Sequence, residues 1–158
     1  SFFSHIMKLT DEWFTAIAES ETGNRTIFIS GRCHIDEFRE SGKFPFRAEI
    51  TWNYHPDLNG MPDESSAQLM EETLTALKKA MEKDKLAILT GIYTGDSERN
   101  MIFYTRNITA FGNRLNEALA TFERLPITIY TENDSEWNEY AEMQELNPGD
   151  DEDDEELL

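Results

Sequence analysis

Cys33-His34 is the nearest approach in this chain to a nucleophile beside a base. A reactive thiolate needs its imidazole within hydrogen-bond reach. The preceding run Thr26-Ile27-Phe28-Ile29 is β-rich, and adjacent strand residues point to opposite faces. The pair is therefore expected to be a buried structural cysteine and an incidental histidine. Cys33, His34 and Asp36 make no zinc site, because no second cluster offers the remaining spaced ligands. His55 and Asp57 flank Pro56 just before a helix start, where a ligand could meet the helix N-terminus. A turn followed by a cap, with Met61 packed on the core, is the preferred reading. Thr94-Gly95-Asp96-Ser97 lacks the repeated glycines and lysine of a phosphate loop and reads as a hairpin turn. Glu71-Glu72 and Glu155-Glu156 are paired carboxylates, but such pairs do acid–base work only where burial separates their pKa values. No catalytic residue, cofactor site or metal ligand is assigned.

The elements that would hold these residues follow from hydrophobic spacing. Asp11 to Ser20 carries Trp13, Phe14, Ile17 and Ala18 at a helical spacing, yet the turn signal Thr22-Gly23-Asn24 and the β-rich run after it favour a hairpin. From Phe46, the residues Ala48, Ile50, Trp52 and Tyr54 alternate with Arg47, Glu49, Thr51 and Asn53, which predicts a strand with one buried face. Asp63, Ser65 or Ser66 can cap a helix running to about Lys83, with Met70, Leu74, Leu77 and Met81 as its core stripe. Lys85 to Tyr93 reads as a central strand covered on both faces, and Asn100 to Arg106 as its hairpin partner. A second helix starts at Asn107 and presents Phe111, Leu115, Leu119 and Phe122. Pro126 opens a strand over Ile127 to Thr131. Asp134 or Ser135 caps a short helix bearing Trp137, Tyr140, Ala141 and Met143, which Asn147-Pro148-Gly149 stops.

The expected fold is α+β: a ferredoxin-like (split βαβ) antiparallel sheet with two helices on one face, extra N-terminal strands, and a short C-terminal helix closing an open end of the core. Residues 11–146 form one domain. Residues 147–158 form an acidic tail expected to be disordered. Residues 1–10 are an N-terminal extension, and Ser1 to Ile6 are set aside because Met7-Lys8-Leu9 reads as a natural start. A chain of 158 residues buries about two thirds of its unfolded surface, so no staple is required. The single cysteine suits a reducing compartment, and the cytoplasm is expected.

Charge is the strongest functional signal. The net charge is −18, and after Arg124 there is no Lys or Arg, while 13 acids follow. Nucleic acid and anionic lipid are disfavoured as direct partners, since phosphate contacts need a basic patch. Trp52, Tyr54, Phe103 and Tyr104 could stack bases on a sheet of this type, but only Arg47 and Arg106 stand near them, so core packing is expected instead. The tail can serve as a solubilising end, as a clamp for a basic partner, or as a weak divalent-cation site. The last lacks the D-x-D-x-D-G spacing that fixes calcium geometry.

Three stretches carry a resemblance: GMPDESSAQLMEETLTALKKAM, TGIYTGDSERNMIFYTRN and ITIYTENDSEWNEY. Gly60-Met61-Pro62 before an acidic-start helix, the hairpin ending Phe103-Tyr104, and the closing run from Asp134 to Tyr140 resemble the bacterial family catalogued as domain of unknown function 695. Ser135 stands where the family usually has Pro, which weakens helix initiation. The resemblance covers roughly residues 11–146. It implies no catalytic residues, and some members look related to an acidic bacterial regulator that inhibits a ribonuclease.

The expected function is that of a cytoplasmic, non-enzymatic protein-binding module, a monomer or homodimer, that presents carboxylates to a basic partner such as a nuclease or toxin. The expected partner-binding residues are Glu136, Glu139, Glu142, Glu145, Asp150, Asp151, Glu152, Asp153, Asp154, Glu155 and Glu156. Leu157-Leu158 could anchor the tail in a groove. The alternative is a small-ligand binder or enzyme using the loop from His55 to Pro62.

Overall fold

The computed structural model describes residues 7–20 and 25–149. Its elements, in chain order, are β1 (Trp13–Glu19), β2 (Thr26–Arg32), α1 (Asp36–Glu40), β3 (Phe46–Asn53), α2 (Glu64–Glu82), β4 (Ala87–Gly95), β5 (Glu98–Thr105), α3 (Ile108–Ala118), β6 (Ile127–Asn133) and α4 (Asn138–Gln144). All six strands join one antiparallel sheet in the order β1-β2-β4-β5-β3-β6. The N-terminal segment is the hairpin, with Trp13 opposite Arg32 and Glu19 opposite Thr26. The turn expected at Thr22-Gly23-Asn24 lies outside the described residues.

Alternation along β3 sends Ala48 and Ile50 to the face covered by α2 and α3. There they pack with Leu77, Met81, Phe111 and Leu115. The cap of α2 is Asp63, whose carboxylate accepts from the Ser66 amide. Thr73 is fully buried on this helix, its hydroxyl donating to the Leu69 carbonyl at 2.8 Å, while Leu74 is only half-buried. The β4-β5 hairpin turns at Asp96 and Ser97, both with positive φ (51° and 73°), a geometry that matches the strand twist.

The two expected long helices, α2 and α3, share one face, but the place expected for the short C-terminal helix needs correction. Among the described residues there are four helices, and α1 and α4 cover the opposite face of the sheet rather than an open end. Phe38 of α1 and Tyr140 and Met143 of α4 form a second core with Phe14, Ile29, Ile88, Ile102 and Tyr104. The reason lies in the alternation along β4 and β5: Ile88, Ile102 and Tyr104 point away from α2 and α3 and need their own cover. Gly31 and Gly91, paired across β2 and β4, admit that cover. A Cβ on Gly31 would lie 2.1 Å from the Phe14 ring, and one on Gly91 would lie 2.5 Å from Met143 Sδ.

Trp137 also differs from expectation. It is not on the apolar stripe of α4 but immediately before it, with φ 57°. Its ring stacks on Tyr104 at 4.3 Å, and its Nε1 donates to the Phe44 carbonyl at 2.8 Å. A buried indole must place its N–H on an acceptor, and that requirement outweighs the helical spacing.

Candidate functional site

Helices α2 and α3 leave the outer strands partly open, and a groove of about 940 Å³ runs between α2 and the face of β1, β2 and β4. Phe28, Ser30 and Ile92 line its floor, and Leu74, Lys78 and Lys79 line its wall. At its base lies Arg32, only 1% exposed. Its Nη1 donates to Glu82 Oε2 at 2.7 Å and to the Leu89 carbonyl at 3.0 Å, and its Nε donates to the Thr10 carbonyl at 2.9 Å. The guanidinium also sits 5.2 Å from the Trp13 ring. Glu82 completes its coordination with the Leu89 amide at 3.0 Å. A buried charge survives only when paired and fully hydrogen-bonded, as here.

The other acids of the groove are paired as well. Asp11 meets Lys78 at 3.1 Å, and Glu71 meets Arg99 at 3.0 Å. The Trp13 indole N–H is the foremost influence holding the Asp11 carboxyl below its ordinary range, with Lys78 assisting against partial burial. Lys79 and Lys83 have no ion pair among the described residues, so the unbalanced charge of the groove is positive.

A second polar cluster ties α4 to the sheet. Asp134 accepts from the Tyr104 hydroxyl (2.7 Å), Arg47 Nη1 (2.7 Å) and the Asn138 and Glu139 amides (2.9 and 3.3 Å). Asp134 is the expected cap, reaching past Trp137 to the first turn of α4. Burial would raise its carboxyl, but these donors outweigh it and hold it below the ordinary range. Glu139 turns inward and accepts from the Tyr93 hydroxyl at 2.7 Å; burial pushes its carboxyl up. Burial likewise raises the Tyr93 and Tyr104 phenols. The Oε2 of Glu139 and the Nε of Arg47 are buried without a hydrogen-bond partner among the described residues. The cluster holds no thiol or imidazole, and its geometry is that of a clamp.

The sequence-predicted site residues separate into groups. Glu136, Glu142 and Glu145 are exposed at or on α4, while Glu139 is only partly exposed and is engaged with Tyr93. Arg39 Nε donates to the Glu136 carbonyl at 2.9 Å, a contact with the backbone and not with the carboxylate. Asp150 to Glu156 and Leu157-Leu158 lie outside the described residues. Cys33 and His34 follow the end of β2 rather than lying within a strand; His34, with φ 61°, turns to the Glu12 carboxylate, and Cys33 packs against the core. No group of three or more metal-ligating side chains occurs among the described residues.

The loop from His55 to Pro62 is a self-tied turn. Asp57 Oδ1 accepts from the Asn59 and Met61 amides at 2.8 and 2.9 Å, and the Tyr54 hydroxyl donates to the Gly60 carbonyl at 2.6 Å. Burial pushes the Tyr54 phenol up to about 12. His55 is exposed. The aromatic residues considered as a stacking platform are buried, Trp52 and Tyr54 against Met70 of α2, Phe103 beneath α2 and α3, and Tyr104 beneath Trp137.

Sequence reasoning did not find the groove. Nothing local in the sequence marks Arg32 as buried. The available signal was the concentration of Lys78, Lys79, Lys83 and Lys85 in a chain with few cations. Among the described residues no helix is long and apolar enough to cross a membrane. The model of a family described as "Family of unknown function (DUF695)" matches residues 11–143. No curated protein and no solved structure matches the chain.

Proposed function

The chain belongs to that family of unknown function, and on this premise we propose that it is a non-enzymatic binding module whose acidic C-terminal surface holds a basic protein partner. The observation that carries the reading is the cation-free stretch after Arg124, from which Glu136, Glu142 and Glu145 project while the nearby cations Arg39 and Arg47 are already engaged. A surface of unpaired carboxylates attracts a cationic partner at long range and sets its orientation. A nuclease or toxin with a phosphate-binding surface fits that chemistry. The proposed setting is the cytoplasm, as a monomer or homodimer. The split βαβ reading of residues 46–133 is supported by the order β6-β3-β5-β4 and by α2 and α3 sharing one face.

The test is a comparison of captured partners and of their salt dependence. The full chain and a Glu136→Lys/Glu142→Lys/Glu145→Lys variant are used as bait in native lysate, and the captured protein is then titrated calorimetrically against both. Loss of binding in the variant, with a flatter salt dependence, is expected. Equal affinity for bait and variant overturns the reading. The alternative of a ligand or enzyme site about His55 to Pro62 is tested by His55→Ala and Asp57→Ala against a small-molecule thermal-shift panel.

A further inference from the structure

We propose that the acidic segment Asp150 to Leu158 of this chain docks in its own groove between α2 and the β1-β2 hairpin. Two independent observations point to this occupant. The first is charge. The acids lining the groove are each paired with a cation, Asp11 with Lys78, Glu71 with Arg99 and Glu82 with Arg32, whereas Lys79 and Lys83 have no partner among the described residues. The field left over is positive in a protein of net charge −18, and the segment supplies seven acids in succession from Asp150 to Glu156. The floor is apolar, with Phe28 45% exposed beside Ile92, and Leu157 and Leu158 have the side chains to cover it.

The second observation is position. Leu146 and Pro148 line a cleft with Thr15, Ile17 and Phe28, so the chain leaves the described fold against β1, the edge strand of the sheet. Phe28 and Ser30 line both that cleft and the groove. The route from one to the other crosses the single strand β1, a step of about 5 Å, and the height of a helix above a sheet, about 10 Å. Nine residues reach up to about 30 Å when extended. Tethering makes the contact intramolecular, with an effective concentration on the order of millimolar, so a few screened ion pairs are enough to populate it.

The docking stands apart from the partner reading: it concerns residues 150–158 and the lysines of α2, and the partner test above leaves both intact. It is tested in the full chain with a nitroxide at position 155 (Glu155→Cys, Cys33→Ser) and amide NMR. Broadening is expected for residues 28–32 and 74–83, with α3 unaffected. It is expected to be lost in Lys79→Glu/Lys83→Glu and at salt on the order of 0.5 M, where the Debye length falls to a few ångström. A second measurement spares Cys33: changing the seven acids to Asn and Gln is expected to move the amide shifts of the same residues. Absent broadening together with unmoved shifts overturns the proposal. So does broadening seen only when labelled and isotope-enriched chains are mixed, which assigns the groove to a second copy. Groove shifts that follow Phe2→Ser/Phe3→Ser and not the tail acids assign it to residues 1–6 and overturn it equally.

Discussion

Arg32 and Glu82 face one another at 2.7 Å across the base of the groove, joining the last residue of β2 to the last of α2, fifty positions apart in sequence. The pair fixes the angle at which the outer hairpin meets the helix, and thereby the shape of the groove. Arg32→Met leaves the Glu82 carboxylate buried beside the Leu89 amide with Lys78 Nζ, 3.7 Å away, in place of the guanidinium as its counter-charge. A loss of about 3–5 kcal/mol is expected in urea unfolding, the range for breaking one side of a buried pair. Arg32→Met/Glu82→Gln is expected to cost less than the sum of the single changes. Additive costs would show that the two side chains are not coupled.

Asp134 sets the acid limb of stability. Its folded-state carboxyl lies below the ordinary 3.8, so its stabilising contribution is complete above that value and is lost as pH falls through the folded one. Asp134→Asn keeps the shape but weakens the acceptor for Tyr104, Arg47 and the α4 amides. The variant is expected to be about 2–3 kcal/mol less stable at neutral pH. The gap from the parent should close as pH drops below 3.8. A pH-independent gap would exclude this carboxylate as the titrating group.

Glu139 has the opposite sign. Burial raises its folded-state value above the ordinary 4.5, so its ionisation on raising the pH costs the folded state stability. Glu139→Gln retains an acceptor for the Tyr93 hydroxyl and removes the charge. Relative to the parent, the variant is expected to match in stability at low pH and to gain as pH rises through the folded value, read as a Tm difference. A variant that loses stability at pH 8 would show that ionised Glu139 is compensated by Arg47.

Gly31 is where Phe14 lies against the sheet. A Cβ there would meet the ring at 2.1 Å, so Gly31→Ala forces the ring off its rotamer at a cost of about 1–3 kcal/mol. Phe14→Leu, which shortens that side chain, is expected to recover part of the loss when combined with it. Chemical denaturation of the single and double variants measures the recovery.

Much of the fold is legible in the chain. The alternation at Ala48-Ile50-Trp52, the cap at Asp63 and the turn at Asp96-Ser97 each arise from interactions between residues close in sequence, and each is found in the structure. Residues 11–20 hold apolar positions at a helical spacing but form β1, because pairing with β2 over seven positions outweighs a weak local preference. Likewise Trp137 leaves the stripe of α4 to place its indole on the Phe44 carbonyl.

The site is less legible, and the reason is physical. The charge asymmetry after Arg124 is a sum over residues, which composition alone fixes, and so is the short supply of cations outside Lys78 to Lys85. Whether a given charge is exposed or buried depends on which elements come to lie against it. Glu139 looks identical to Glu136 and Glu142 in the chain, yet β4 brings Tyr93 to it and turns it inward. Arg32 looks like any strand-end arginine, yet packing α2 over the hairpin removes it from water and makes it the base of a groove. By itself the sequence indicated the strands and the helices other than α1, an α+β antiparallel sheet, and the sign of the net charge. Only the tertiary structure decided which charges are neutralised and which remain free, because pairing and desolvation are set by contacts between residues far apart in the chain.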